Sequence, residues 1–199
     1  WASNKIRELG GLSMLCHYFW FTSNKYYFDI PLLDHLIETE VFDALELISG
    51  FGAKSLDRTD VNNLQVARYH EERAKGRTLP ICGISDSHGK EHNDVFGRYY
   101  TVCFSPSGEL TDLIESIKDL RSVAVEAVDG QLPRAHGPFR LVKYTHFLLR
   151  EIFPQHDELC FEEGRPMLQY AAGDKTAVDR LRLLQGQIDR LYEKFWAKD

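Results

Sequence analysis

Residues 81–89 read Ile-Cys-Gly-Ile-Ser-Asp-Ser-His-Gly, an apolar run that ends in the pair Asp86 and His88. The run is typical of a buried β-strand. In an extended backbone, residues two apart point to the same side, so these two side chains can reach one point in space. A carboxylate oxygen and an imidazole nitrogen at one point are the beginning of a divalent metal site. Taken alone, the pair is explained more simply as a polar turn after a buried strand.

The same arrangement occurs twice upstream. Residues 12–16 form an apolar run that ends at His17, and residues 44–48 form another, which contains Glu46 and is closed by Ser49 and Gly50. Each apolar run follows a segment with helical spacing. One predicted helix begins at Ser3 or Asn4 and stops at Gly10, and a second runs from Pro31 through Ile37. A third covers residues 62–75, with Leu64, Ala67 and Tyr69 facing inward.

Helix, strand and loop repeated three times predict a parallel α/β sheet or barrel. Strands without polar alternation fit burial on both faces. In such folds the functional groups gather where the strands end, at the carboxyl edge of the sheet. His17 and the Asp86/His88 pair fall at that edge, and Glu46 lies slightly before it.

Three segments, residues 11–17, 43–50 and 82–88, together resemble the second half of a PHP domain. This is the polymerase and histidinol phosphatase superfamily of metal-dependent phosphoesterases, in which segments of the types "aHP", "EvxNG" and "GSDSH" occur in the same order. The resemblance covers roughly residues 1 to 128. It implies the carboxyl-terminal part of a distorted (β/α)7 TIM-like barrel over residues 1–130, followed by a helical extension over residues 131–199.

The resemblance also implies a site and a reaction. His17, Asp86 and His88 match family metal ligands, and Glu46 matches a recurrent acidic position whose role in binding metal varies. The implied cofactors are two or three zinc, manganese or iron ions. The implied reaction is hydrolysis of a small phosphorylated substrate by metal-activated water, with Asp86 and His88 in catalysis.

His92 and Arg98, which follow the Asp86/His88 pair in the sequence, are candidate contacts for a substrate phosphate. For His92 a solvated loop position is the plainer interpretation, whereas Arg98 is slightly better placed, after the loop that follows His88. No serine with a paired base and no Gly-rich phosphate cradle is evident, which disfavours covalent and P-loop chemistry.

The chain departs from the family in two places. Tyr18-Phe19-Trp20 stands where the family has proline after its histidine, and no Asp-x-His-x-His segment occurs anywhere in the sequence. Since the chain also begins at Trp1, we expect it to be the carboxyl portion of a longer protein, with the missing amino-terminal half as a partner. Alone it would bind metal weakly and be a poor catalyst. Two alternatives stay open: a degenerate PHP-like scaffold serving as an interaction module, and an amidohydrolase-like metal hydrolase.

Composition bounds the remaining possibilities. With 199 residues and 43% apolar content the chain is globular, and its net charge of −6 disfavours a broad nucleic-acid surface. No run is long and apolar enough to span a membrane. The four cysteines form no Cys-x-x-Cys pair and are interpreted as reduced thiols of a cytoplasmic protein.

Downstream of the Asp-x-His pair, residues 96–105 and 122–127 are predicted strands that flank a helix over residues 110–120. Three further helices are predicted over residues 138–153, 157–172 and 175–197. The last carries a single apolar stripe formed by Val178, Leu181, Leu184, Ile188, Leu191 and Phe195. We interpret these helices as an appendage packed on the barrel, with a homo-oligomer contact as the alternative.

Overall fold

The computed structural model describes residues 1–20, 29–50, 59–88 and 96–196. The candidate His92 lies outside the described residues. The chain divides into two compact units, residues 1–145 and residues 146–199. All described candidate site residues belong to the first unit.

The first unit begins with a parallel three-stranded sheet that alternates with helices, as the sequence predicts. The strands are β1 (Met14–Leu15), β2 (Ala44–Ser49) and β3 (Ile81–Ile84), in the order β1-β2-β3. The helices are α1 (Ala2–Glu8), α2 (Ile30–Glu38) and α3 (Thr59–Ala74). All six residues of β2 are buried, as expected for a central strand covered on both faces.

Helix α2 shows how the local sequence sets these elements. The Asp29 side chain accepts a hydrogen bond from the Leu32 backbone N–H at 2.7 Å, which caps the first turn, and Pro31 occupies a position where no N–H is needed. Leu33 and Ile37, four residues apart, are buried in one cluster with Leu15 and Leu45 of the sheet.

Helix α3 does not present the face that its apolar residues predict. Leu64 and Ala67 are exposed, whereas Asn62, Gln65 and Tyr69 are buried. The prediction is confirmed for Tyr69 and wrong for Leu64 and Ala67, because two amide side chains on this helix satisfy backbone groups of β2, and that bonding decides which face packs on the sheet.

A second, antiparallel sheet follows in the same unit. Its strands are β4 (Tyr99–Cys103), β5 (Ser122–Glu126) and β6 (Arg134–His136), in the order β4-β5-β6, and α4 (Leu110–Lys118) connects the first two. The sequence predicts only helices after residue 130, and this is wrong for β6. Three residues are too few for a periodic pattern, and pairing with β5 fixes their extended conformation.

Side-chain hydrogen bonds join the two sheets. Ser122 Oγ donates to the Ile81 carbonyl at 2.7 Å, and Thr101 Oγ1 accepts from the Gly83 N–H at 3.0 Å while donating to the Gly83 carbonyl at 2.8 Å. Ser122 of β5 thus lies beside Ile81, and Ala124, the partner of Thr101, lies near Gly83. Because both pairs advance together along the chain, β5 runs beside β3 in the same direction. The α/β class is thus shown. Among the described residues the two sheets do not close into a barrel.

The second unit is helical. Helix α5 (Phe139–Phe147) ends the first unit and extends into the second, which continues with a π-helical turn (Leu148–Ile152), α6 (Phe153–Ala171), α7 (Ala177–Leu184) and α8 (Gln187–Trp196). In the part of the chain that the structure describes, no helix combines the length and apolar character needed to cross a bilayer.

Two predicted helix boundaries in this region are wrong. Pro154 does not end a helix, because the wide π turn before it leaves room for the proline ring and for the carbonyl that lacks an N–H partner. The predicted helix over residues 175–197 is divided at Gly186, whose φ of 75° is left-handed. The apolar stripe persists across the break, since all six of its residues are buried or partly buried.

Candidate metal site

Three strands of the parallel sheet bring His17, Glu46 and Asp86 together at its carboxyl edge. His17 Nδ1 lies 2.9 Å from Glu46 Oε1, and His17 Nε2 lies 3.6 Å from Asp86 Oδ1. Glu46 is fully buried, whereas the His17 and Asp86 side chains are 27% and 23% exposed. The two rim residues are therefore open to solvent above a buried carboxylate.

The backbone is left-handed at both rim residues. His17 and Asp86 each have φ of 52°, a region that residues other than glycine seldom occupy. Such strain costs roughly 1–3 kcal/mol per residue and clusters at functional sites. At Asp86 it also ends the extended geometry in which Asp86 and His88 would point to one side.

His88 consequently turns back on its own loop. Its Nδ1 donates to the Asp86 backbone carbonyl at 2.7 Å and lies 3.9 Å from Asp86 Oδ1, and the side chain is 63% exposed. The structure therefore pairs the Asp86 carboxylate with His17 more closely than with His88.

The electrostatics of the site favour positive charge at the His17 ring. The hydrogen bond that His17 donates to Glu46 raises the pKa of His17, against the opposing effect of burial, and the charges of Glu46 and Asp86 add to the increase. Because these carboxylates stabilise a proton on the imidazole, they also favour a cation beside it.

The thiol of Cys16, next to His17, is poorly ionised. Burial, which is the largest cause, and the nearby Glu46 and Asp86 carboxylates together raise the pKa of this thiol to about 12. Without a bound metal the thiol therefore stays protonated at neutral pH, whereas nucleophilic attack uses the thiolate.

The aromatic residues that follow His17 have separate roles. Tyr18 is buried in the core with Leu15 and Leu33. Trp20 stands edge-on to the His17 ring, with the ring centroids 6.1 Å apart. It forms one side of the surroundings of His17.

Arg98, the candidate phosphate contact, precedes β4 at the edge where β5 ends. Its Nη2 donates to Asp129 Oδ2 at 3.1 Å, in a pair whose side chains are 39% and 86% exposed. Exposed pairs of this kind are worth about 0–1 kcal/mol, so an incoming phosphate can compete with Asp129 for the guanidinium.

Two amide side chains support the site, although neither residue is a candidate metal ligand. Gln65 Nε2 donates to the carbonyls of Glu46 and Leu47 at 3.2 and 3.1 Å. Asn62 accepts from the Ser49 N–H at 2.9 Å and donates to its carbonyl at 3.0 Å. Their three-residue spacing on α3 is the available sequence signal, although two amides at that spacing are common on solvated helix faces.

The donor atoms at the rim fit a divalent cation. Two ligands with tetrahedral bonds of 2.0–2.2 Å lie about 3.3–3.6 Å apart, which matches the 3.6 Å between His17 Nε2 and Asp86 Oδ1. That distance is too long for a hydrogen bond. Glu46 Oε2 is buried without a hydrogen-bond partner among the described residues. Within the same residues, no group of three or more His, Cys, Asp and Glu side chains is arranged to hold a metal ion.

No family model, curated protein or solved structure matches this chain. What the site does must therefore follow from its residues and their geometry.

Proposed function

We propose that the chain is part of a metal-dependent phosphoesterase with a PHP-like barrel fold. The observation that carries the proposal is the convergence of His17, Glu46 and Asp86 from three parallel strands at one carboxyl edge. Nitrogen and carboxylate ligands suit zinc, manganese or iron better than calcium.

Each residue at the site has a part in the proposed reaction. His17 Nε2 and Asp86 Oδ1 would hold a divalent cation, and His88 lies on the exposed loop that carries Asp86. When bound, the cation would lower the pKa of water and neutralise phosphoryl charge. Arg98 can exchange Asp129 for a phosphate oxygen on the substrate.

A small phosphorylated substrate fits this site better than a polyanion. The chain carries 30 acidic and 24 basic residues, which opposes a long-range attraction to nucleic acid. A single phosphate needs only the local positive charge of the cation and one guanidinium.

The test is hydrolysis of an aryl phosphate by the protein expressed from its complete gene, with added manganese or zinc. We expect activity that His17→Ala and Asp86→Ala each reduce by roughly 10²-fold or more, since even the partners that orient metal ligands contribute 10–100-fold. His35→Ala is the control, because His35 is an exposed histidine on α2 away from the strand ends.

Three results would contradict the proposal. Equal turnover by the wild type and the Asp86→Ala variant would exclude a role for the site. Cleavage of an amide or lactone without cleavage of a phosphate ester would favour an amidohydrolase-like enzyme, and metal binding without any turnover would favour a scaffold.

A further inference from the structure

Glu46 is the one buried carboxylate at the site, and it touches His17 on a single ring nitrogen. Its side chain is fully inaccessible, and its Oε1 lies 2.9 Å from His17 Nδ1. A carboxylate accepts hydrogen bonds, so Nδ1 is the nitrogen that carries the proton. In the neutral ring, Nε2 then has the lone pair that a metal requires.

The two carboxylates flank opposite edges of the imidazole. Glu46 contacts Nδ1, and Asp86 faces Nε2 at 3.6 Å. A cation shared by Nε2 and Asp86 therefore lies on the side of the ring that faces away from the Glu46–His17 hydrogen bond. An imidazole held through one nitrogen so that the other can bind metal is a recurrent arrangement in metalloproteins.

The backbone around Glu46 is fixed by side chains of α3. Gln65 binds the carbonyls of Glu46 and Leu47, and Asn62 binds both backbone groups of Ser49. Both amides are buried, so water does not compete for these bonds. A group that orients another side chain needs this kind of rigid support.

We infer that Glu46 is a positioning residue: it holds His17 in the tautomer protonated on Nδ1 and thereby presents Nε2, beside Asp86, to a divalent cation. The presentation to a cation rests on the proposed function. The tautomer is a property of the chain without metal. The rival role is direct ligation through Glu46 Oε2, which is buried and lacks a partner among the described residues.

Long-range ¹H–¹⁵N NMR of the metal-free protein, with ¹⁵N-labelled histidine, tests the tautomer directly. At a pH where the ring is neutral, we expect the proton of His17 on Nδ1, with a resonance shifted downfield by the carboxylate. Glu46→Ala should abolish the tautomer preference, and Glu46→Gln, which preserves the volume, should move that resonance upfield. Glu72→Gln is the control: Glu72 is equally buried, but its partners are Arg68, Lys75 and Arg77.

Cobalt(II) binding separates orientation from ligation. We expect Glu46→Ala to weaken cobalt binding by about 10–100-fold while leaving the visible absorption bands of the bound ion in place. If Glu46 were a ligand, the bands would shift in energy and intensity, and the inference would be overturned.

Two NMR results would also overturn it: a His17 proton on Nε2 in the wild type, or a His17 resonance that neither Glu46 variant changes. Failure of phosphate-ester hydrolysis would not, because the tautomer is measured without metal and without substrate. The positioning role and the proposed function can thus fail separately.

Discussion

His17 and Asp86 have strained backbone conformations and partly exposed side chains. Neither feature stabilises the fold. Each has φ of 52° and remains about one quarter exposed. Neither residue is glycine, which would adopt this conformation without cost. In this conformation His17 Nε2 and Asp86 Oδ1 lie 3.6 Å apart, which is the spacing on which the proposed cation site depends.

Asp43 shows a carboxylate used for stability instead. It precedes β2, where it accepts hydrogen bonds from the Ser13 N–H and hydroxyl and from Arg7 at 2.8–2.9 Å, with Lys118 at 3.3 Å. Burial alone would raise the pKa of Asp43, but these partners outweigh it and lower the pKa from 3.8 to about 2.

The stability from Asp43 is present above the unfolded pKa and is lost as pH falls through the folded pKa. Between pH 4 and pH 2, the difference in unfolding free energy between wild type and Asp43→Asn should therefore shrink by roughly 2 kcal/mol. Urea unfolding at a series of pH values measures it. Asp119→Asn, at a residue 65% exposed, is the control. A constant difference between the wild type and Asp43→Asn would contradict the prediction.

Sequence alone locates the rim residues but not their pairing. His17 and Asp86 stand out because polar residues follow apolar runs. The bond between His17 and Glu46 depends on the register of β1 against β2, which no local pattern encodes. The left-handed φ of Asp86 likewise redirects its carboxylate from His88 toward His17.

At the level of elements, β2 is held by side-chain hydrogen bonds from α3 as well as by pairing with its neighbouring strands. Its register against β3 shifts between Glu46 and Ile48, so Leu47 has no partner residue in β3. Gln65 of α3 donates to the carbonyls of Glu46 and Leu47 at this shift, and Asn62 bonds the backbone of Ser49 beyond it. The register shift thus begins at Glu46, a residue of the candidate site.

The close approach of β3 to β4 depends on the lack of a side chain at Gly83. A Cβ at Gly83 would lie 2.5 Å from the Tyr100 carbonyl oxygen and 3.2 Å from Ile48 Cγ1. Gly83→Ala must therefore push the strands apart. We expect a loss of roughly 1–3 kcal/mol in unfolding free energy, measured by urea denaturation.

Gly108→Ala provides the matched control for that substitution. Gly108 is exposed, and a Cβ there would meet no atom within 4 Å. The unfolding free energy of the Gly108→Ala variant should stay within about 0.5 kcal/mol of that of the wild type. Equal stability of both variants would show that β3 and β4 do not approach each other as described.

The elements that sequence predicts best are those with a sustained hydrophobic pattern and clear capping or turn residues at their ends. The alternating helices and strands of the parallel sheet fall in this class, with α2 bounded by its Asp29 cap. The failures have tertiary causes: β6 forms through pairing with β5, and the inner face of α3 is set by amides that bind β2. Gly186 is a signal for helix termination, but the apolar stripe continues across it, so the sequence pattern predicts one helix where the structure has two.

Among the residues that the structure describes, left-handed non-glycine residues and fully buried polar side chains belong to the first unit. His17, Glu46 and Asp86 lie there, together with the fully buried amide of Gln65. The second unit is built from helices that bury some apolar residues, such as Leu191 and Ile152, and leave others exposed, such as Phe161 and Leu183. The candidate site residues that the structure describes thus all lie within residues 1–145.

The central claim is that His17 and Asp86 share one divalent cation, and anomalous X-ray scattering tests it most directly. Crystals of the protein grown with manganese or zinc should show an anomalous peak about 2.0–2.2 Å from both His17 Nε2 and Asp86 Oδ1. Data from the Asp86→Ala variant under the same conditions should lack that peak. A wild-type structure with no anomalous density at this position, or with cations bound only elsewhere, would contradict the account.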